Sequence, residues 1–178
     1  MKRLLWLCLL VLPLAHGGEE ERRYFTDTVL LTQEGKAVRF YSDVLKGRIV
    51  VIHTFFTHCE AACPLIVRKL LKVRKALGPL AERITFISIS IDPERDTPER
   101  LRAFAKRHGA DVPGWIFLTG RKADVDLVVS RLGQYVPEVE EHSTLLLVGN
   151  VEARHWSKLR PDTPAPAIAL KLESLAGD

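Results

Sequence analysis

Ile49-Val50-Val51-Ile52-His53-Thr54-Phe55-Phe56 runs directly into Thr57-His58-Cys59-Glu60-Ala61-Ala62-Cys63-Pro64, and after Pro64 the pattern of the chain changes. The first part is mostly apolar, β-branched and aromatic, the composition of a strand covered on both faces. The second part holds two cysteines. Beyond it Ile66, Leu70, Val73 and Leu77 recur at helical spacing until Gly78-Pro79 supplies a stop. The stretch reads as strand, cysteine turn, helix.

The same alternation continues on both sides. Upstream, Thr28 to Tyr41 alternates apolar and polar residues around Glu34-Gly35, a hairpin signal. Downstream, Ile84 to Ile91 is a second buried strand, and Asp96-Thr97-Pro98-Glu99 opens a helix with Thr97 as cap and Pro98 at its first position. That helix ends at Gly109. Trp115 to Leu118 reads as a strand, Ala123 to Leu132 as a helix closed by Gly133, and Thr144 to Val148 as a strand after which Gly149-Asn150 turns the chain. Arg154 to Lys158 returns as a hairpin partner, and Thr163-Pro164 opens a last helix. This order predicts an α/β layer with a mixed central β-sheet flanked by helices and an N-terminal β-hairpin, the order of a thioredoxin-like fold. In such sheets the site lies beyond the carboxyl ends of the strands, where Cys59 and Cys63 fall.

With 178 residues the chain is in the range of one domain that buries its own core. Its start reads as a signal peptide: Lys2 and Arg3, the apolar run Leu4 to Leu14, then small residues up to a cleavage point near Gly17. The expected organisation is a signal over residues 1–17 and one domain over 18–178 in the periplasm or another extracytoplasmic compartment. An uncleaved inner-membrane anchor is the alternative, although the run is short against the roughly 20 residues a bilayer needs. Cys8 lies inside this run and follows Leu7, so it does not match a lipid-attachment cysteine. Removing Lys2 and Arg3 from a net charge of +4 leaves about +2. Arg68, Lys69, Lys72, Arg74 and Lys75 fit the solvated face of a helix with no interleaved aromatics, so no nucleic acid is expected.

Outside the cytosol, thiols pair, bind metal or are kept reduced for a purpose. A helix starting near Cys63 would favour both thiolates through its free N–H groups and dipole, and a spacing of four places both sulfurs on one side of the turn. Thiolates are soft and select copper(I) or zinc over hard ions. Closed zinc sites want four ligands, and no second close pair is present. Blue-copper sites usually add a methionine, yet Met1 is the sole methionine and leaves with the signal. A structural disulfide between Cys59 and Cys63 remains open, although closing so small a ring stabilises only about 2 kcal/mol. The spacing also differs from the two-residue redox motif.

Of the histidines, His53 lies in a buried strand and reads as a satisfied core residue. His58 adjoins Cys59, and His142 ends an acidic loop with Glu138, Glu140 and Glu141 just before a strand. His16, His108 and His155 have structural or solvent explanations.

Four stretches resemble the Sco/SenC copper chaperones of cytochrome c oxidase assembly: Phe55 to Pro64, Ser90-Ile91-Asp92-Pro93-Glu94-Arg95-Asp96-Thr97-Pro98, Trp115 to Gly120, and Glu141-His142-Ser143-Thr144. The resemblance implies copper bound by Cys59, Cys63 and His142, with Asp92 an oxygen ligand for the oxidised ion and a Cys59–Cys63 disulfide when the thiols are oxidised. It implies as partners an apo copper-site protein such as a cytochrome oxidase subunit, and another copper chaperone, near a membrane. The chain departs from the family pattern at Leu145 to Asn150, where a Tyr-containing strand and an Asp-Pro-Asp-Gly turn are usual. Two functions follow: a copper metallochaperone, which is no enzyme, or a thiol-disulfide reductase in which Cys59 attacks and Cys63 resolves. A peroxidase reading would require proline at position 52 and threonine at 56, where this chain has Ile52 and Phe56.

Overall fold

The computed structural model describes residues 17–60, 62–141 and 143–177; the expected leader with Cys8 and His16, and the expected ligand His142, lie outside them. The chain runs α1 (Gly17–Phe25), β1 (Val29–Thr32), β2 (Ala37–Arg39), β3 (Ile49–Phe55), α2 (Ala62–Leu77), β4 (Ile84–Ser90), α3 (Pro98–Arg107) and β5 (Trp115–Thr119). It continues through α4 (Lys122–Arg131), β6 (Leu146–Asn150), β7 (His155–Leu159) and α5 (Ala165–Gly177). Among the described residues the strands form one sheet in the order β2-β1-β5-β4-β3-β6-β7. The centre is parallel, with Ile49 to Phe55 beside Ile84 to Ser90 and Phe86 to Ile89 beside Trp115 to Leu118. The flanks are antiparallel, through β1 on β5 and β6 on β3. The expected thioredoxin-like α/β order and the N-terminal hairpin are both present.

The uninterrupted apolar character of β3 and β4 has its reason in this position, because both strands are buried along their whole length between two layers. On one face Val51, Phe55, Phe86 and Phe117 pack against Val67, Leu70 and Val73 of α2, Phe104 of α3 and Ile168 and Leu172 of α5. On the other, Val50, Ile52, Ile87 and Ile89 pack against Val125, Val128 and Val129 of α4 and against Phe40, Val44 and Leu45. Successive residues of β3 thus feed opposite cores, as the two-residue period of a strand requires.

Helix α1, which carries the charged residues Glu19 to Arg23, is tied down by Glu21, which accepts from Arg154 Nε at 2.5 Å and from the Tyr41 hydroxyl at 3.3 Å. Two expectations are corrected. Gly149 and Asn150 do not turn the chain but pair with Trp156 and His155, and the strand begins at Leu146 rather than Thr144. Glycine at 149 makes room for the Trp156 ring, which a Cβ there would meet at 2.5 Å. Arg74 leaves the solvated face of α2 and lies over the Phe86 ring, 5.8 Å from its centroid.

Candidate metal centre

The carboxyl ends of β3, β4 and β5 meet at one buried side chain, Asp96, which is fully shielded from solvent. Its Oδ2 accepts from the Thr57 amide at 2.9 Å and the Ser90 hydroxyl at 2.7 Å, and its Oδ1 accepts from the Thr57 hydroxyl at 2.5 Å. The Thr119 hydroxyl donates to its main-chain carbonyl at 2.7 Å. One carboxylate and its own carbonyl therefore hold the residues that follow β3, end β4 and end β5. Sequence reasoning read Asp96 only as part of a helix entry. That entry is real, since Thr97 caps α3 through its side chain and Pro98 opens the helix, but Asp96 also fixes the start of the cysteine turn.

From Thr57 the chain turns, and the Cys59 amide donates to the Phe56 carbonyl at 3.2 Å. Helix α2 then begins at Ala62, so Cys59 precedes it and Cys63 lies in its first turn. The Cys63 amide donates to Cys59 Sγ at 3.4 Å, which sets the positive end of an N–H dipole against that sulfur. Neither cysteine is in a disulfide; Cys59 is half-buried and Cys63 fully buried. The two thiols are thus unequal, against the expectation that helix position alone favours both thiolates. Burial first, and the hydrogen bond to Cys59 second, push the Cys63 thiol far above the ordinary cysteine range.

Asp92 is in the same region but in a different situation. Its main-chain carbonyl accepts from the amides of Arg95 at 3.1 Å and Asp96 at 2.9 Å, closing the turn that presents Asp96. Its Oδ2 is buried without a hydrogen-bond partner among the described residues, 3.7 Å from His58 Nδ1 and 3.7 Å from an Arg95 guanidinium nitrogen. His58 lies against the Phe56 ring at 4.5 Å, and its Nε2 is 3.2 Å from Arg95. Among the described residues no three His, Cys, Asp or Glu side chains converge as a metal cluster, so Asp92 is not gathered with the two cysteines. The neighbour of His142 is anchored close to β3: the Ser143 carbonyl accepts from the Thr54 hydroxyl at 2.8 Å.

His53 fulfils its expected core role. Trp115 Nε1 donates to Ser88 Oγ at 2.9 Å, and Ser88 Oγ is 2.7 Å from His53 Nε2. A neutral ring that accepts the Ser88 proton at Nε2 and offers its Nδ1 proton to the Thr54 carbonyl at 3.3 Å fits all three contacts.

The chain is similar to known proteins in sequence and in fold. The family model described as SCO1/SenC matches residues 18–177. A SCO1 protein homolog of Bacillus subtilis is 36% identical over 88 residues, which are 49% of this chain and 45% of that protein; the chain spans about half the length of the curated relatives it matches. Among solved structures, Bradyrhizobium japonicum ScoI with copper bound is 28% identical, with a TM-score of 0.70, over 83% of this chain and 96% of that one. A SCO1/SenC family lipoprotein from Bacillus anthracis is 26% identical, with a TM-score of 0.72, over 83% and 92% respectively. The family match covers the whole fold from α1 to α5, and the chain belongs to the SCO1/SenC family.

Proposed function

We propose that this protein is a copper metallochaperone. Reduced Cys59 and Cys63 accept copper(I), His142 completes the site, and the ion leaves by ligand exchange to an apo copper-site protein. The CuA centre of cytochrome c oxidase, or a similar exported cuproprotein, is the acceptor class this reading implies. The observation that carries it is the joined pair of cysteines, neither in a disulfide: Cys63 donates its amide to Cys59 Sγ at 3.4 Å, on a turn pinned by Asp96. Two soft donors held side by side suit copper(I), which is content with few ligands, better than zinc, which wants four. The copper bound in the Bradyrhizobium japonicum relative supports the same choice. Asp92, with an oxygen that no described residue hydrogen-bonds, suits the harder oxidised ion.

For residues 1–17 the reading is an export signal or anchor, followed by one domain; the family match beginning at residue 18 supports that boundary. The lipoprotein relative supports an extracytoplasmic, membrane-associated setting. No helix among the described residues is long and apolar enough to cross a membrane.

One observation favours a second reading. Cys59 is half-buried while Cys63 is buried, the asymmetry of an attacking and a resolving thiol in a disulfide reductase. Anaerobic copper(I) titration of the reduced protein and of H142A separates the two. The carrier reading expects tight binding by wild type, and weaker binding of both copper oxidation states by H142A. Failure of the reduced protein to bind copper(I), together with reduction of a model disulfide by H142A at the wild-type rate, would favour the reductase.

A further inference from the structure

The basic stripe of α2 borders a groove of about 770 Å³ that starts beside the cysteines. Ala62 and Ile66, on either side of Cys63 in α2, line one wall, and Pro161 before α5 and Pro166 in its first turn line the other. Thr144, two residues after His142, also faces it. Leu65 is 58% exposed at its edge. Arg68, Lys69 and Lys72 supply the charge, and its described lining holds no acid.

Among the described residues none of the three forms an ion pair; Lys69 donates to the Pro161 carbonyl. Asp162, beside Pro161, is held by Arg160 at 2.9 Å, with Lys69 only a weaker electrostatic neighbour. A second groove, of about 510 Å³ between α1, α4 and β7, is built differently. Glu20 and Glu21 line it together with Arg131, Arg154 and Lys158, and Arg154 pairs with both acids, at 3.6 and 2.5 Å. That groove mixes acids with its cations, whereas the described lining of the one beside the cysteines is apolar and basic.

We infer that the groove formed by α2 and the Pro161–Pro166 segment docks an acidic face of the protein that exchanges copper with Cys59 and Cys63. The inference rests on the carrier reading and adds the partner's chemistry to it: an apolar side chain seats against Leu65, Pro161 and Pro166, and carboxylates meet Arg68 and Lys72. Docking here brings a partner's ligands alongside Cys63 without covering the half-buried Cys59. Positive potential next to the transfer site also raises the encounter rate of an acidic partner and makes it sensitive to salt.

The test uses two synthetic acceptor peptides, each with a cysteine pair and a leucine, flanked in one by four glutamates and in the other by four glutamines. Fluorescence anisotropy with the copper-free full chain measures docking, and stopped-flow transfer from the copper(I)-loaded chain measures delivery. The acidic peptide is expected to bind the copper-free chain about tenfold more tightly than its neutral twin. R68E/K72E is expected to remove that preference, as is 0.5 M salt, while leaving copper(I) affinity against a chelator unchanged. Acidic and neutral peptides binding alike, to a protein that does take up copper(I), would overturn the docking surface and leave the carrier reading standing. A preference for the acidic peptide in a protein that takes up no copper(I) would do the reverse. Binding of the groove to phosphatidylglycerol vesicles, lost in R68E/K72E and without any peptide preference, would also overturn it.

Discussion

The segments that follow β3 and β4 leave adjacent parallel strands at the same end of the sheet, yet they are built in opposite ways. The cysteine segment, residues 56–62, is held from outside: Thr57 is bonded to Asp96 through both its amide and its hydroxyl. The acidic segment, residues 91–97, holds itself through the amides of Arg95 and Asp96 on the Asp92 carbonyl, and holds its neighbours through Asp96. One segment carries the soft donors and the other positions them. Within the acidic segment the division repeats, since Asp96 has every acceptor engaged and Asp92 keeps a buried oxygen without a donor. A buried carboxylate with its oxygens satisfied is a structural tie; one with an oxygen left without a donor calls for another explanation.

That contrast predicts a large effect at Asp96. Truncation in D96A leaves the Thr57 amide and the Thr57 and Ser90 hydroxyls unpaired in a buried place, a loss of about 3 kcal/mol or more. In a chain of this size that lowers the melting temperature by about 10 °C, which calorimetry measures. Copper(I) affinity falls with it, because the cysteine turn loses its tether. A D96A protein with wild-type stability and affinity would break the division of labour between the two segments.

A pH series sharpens the same contrast from the side of the thiols. The Cys63 thiol is held protonated by burial and by Cys59, so a metal that binds its sulfur must displace that proton. Copper(I) affinity is expected to rise about tenfold per pH unit for each proton released. Stability of the reduced, metal-free protein moves the other way. A raised thiol contributes stability that is present below the unfolded cysteine value of about 8.5 and fades as pH rises above it, because the unfolded chain then loses a proton that the native chain keeps. Urea midpoints under reducing conditions should therefore fall between neutral and strongly alkaline pH.

The smallest effect is expected at Asp92. Replacing the carboxylate in D92N removes an oxygen that no described residue hydrogen-bonds, so stability stays within about 0.5 kcal/mol of wild type. Copper(I) affinity should be unchanged and copper(II) affinity reduced, as competition titrations with each ion would report. Equal losses for both ions would place Asp92 beside Asp96 as a positioning residue.

Much of this was legible before any coordinates. The unbroken apolar run of β3, the helical spacing of Ile66, Leu70, Val73 and Leu77, and the Thr97-Pro98 helix start are local patterns, and local patterns survive folding. Long-range partners are not written locally. Asp96 looks like a helix entry because its main partner, Thr57, lies 39 residues away. Gly149-Asn150 has turn chemistry, but the ring of Trp156 needs the glycine as a flat place in a strand. Helix α1 is tied down by Arg154 and Tyr41, side chains from distant parts of the chain. The two cysteines were visible at once, while their unequal burial was not, since position at a helix start says nothing about what packs over it.

The central claim, that Cys59 and Cys63 together carry copper(I), is tested most directly by anaerobic titration of reduced protein against a coloured chelator, with C59S and C63S measured alongside. The account predicts one equivalent bound by wild type and a loss of more than about a hundredfold in either variant, since removing a ligand should exceed the cost of removing a ligand's supporting partner. Wild-type affinity in C59S or C63S, or no binding by the reduced wild type, would contradict it.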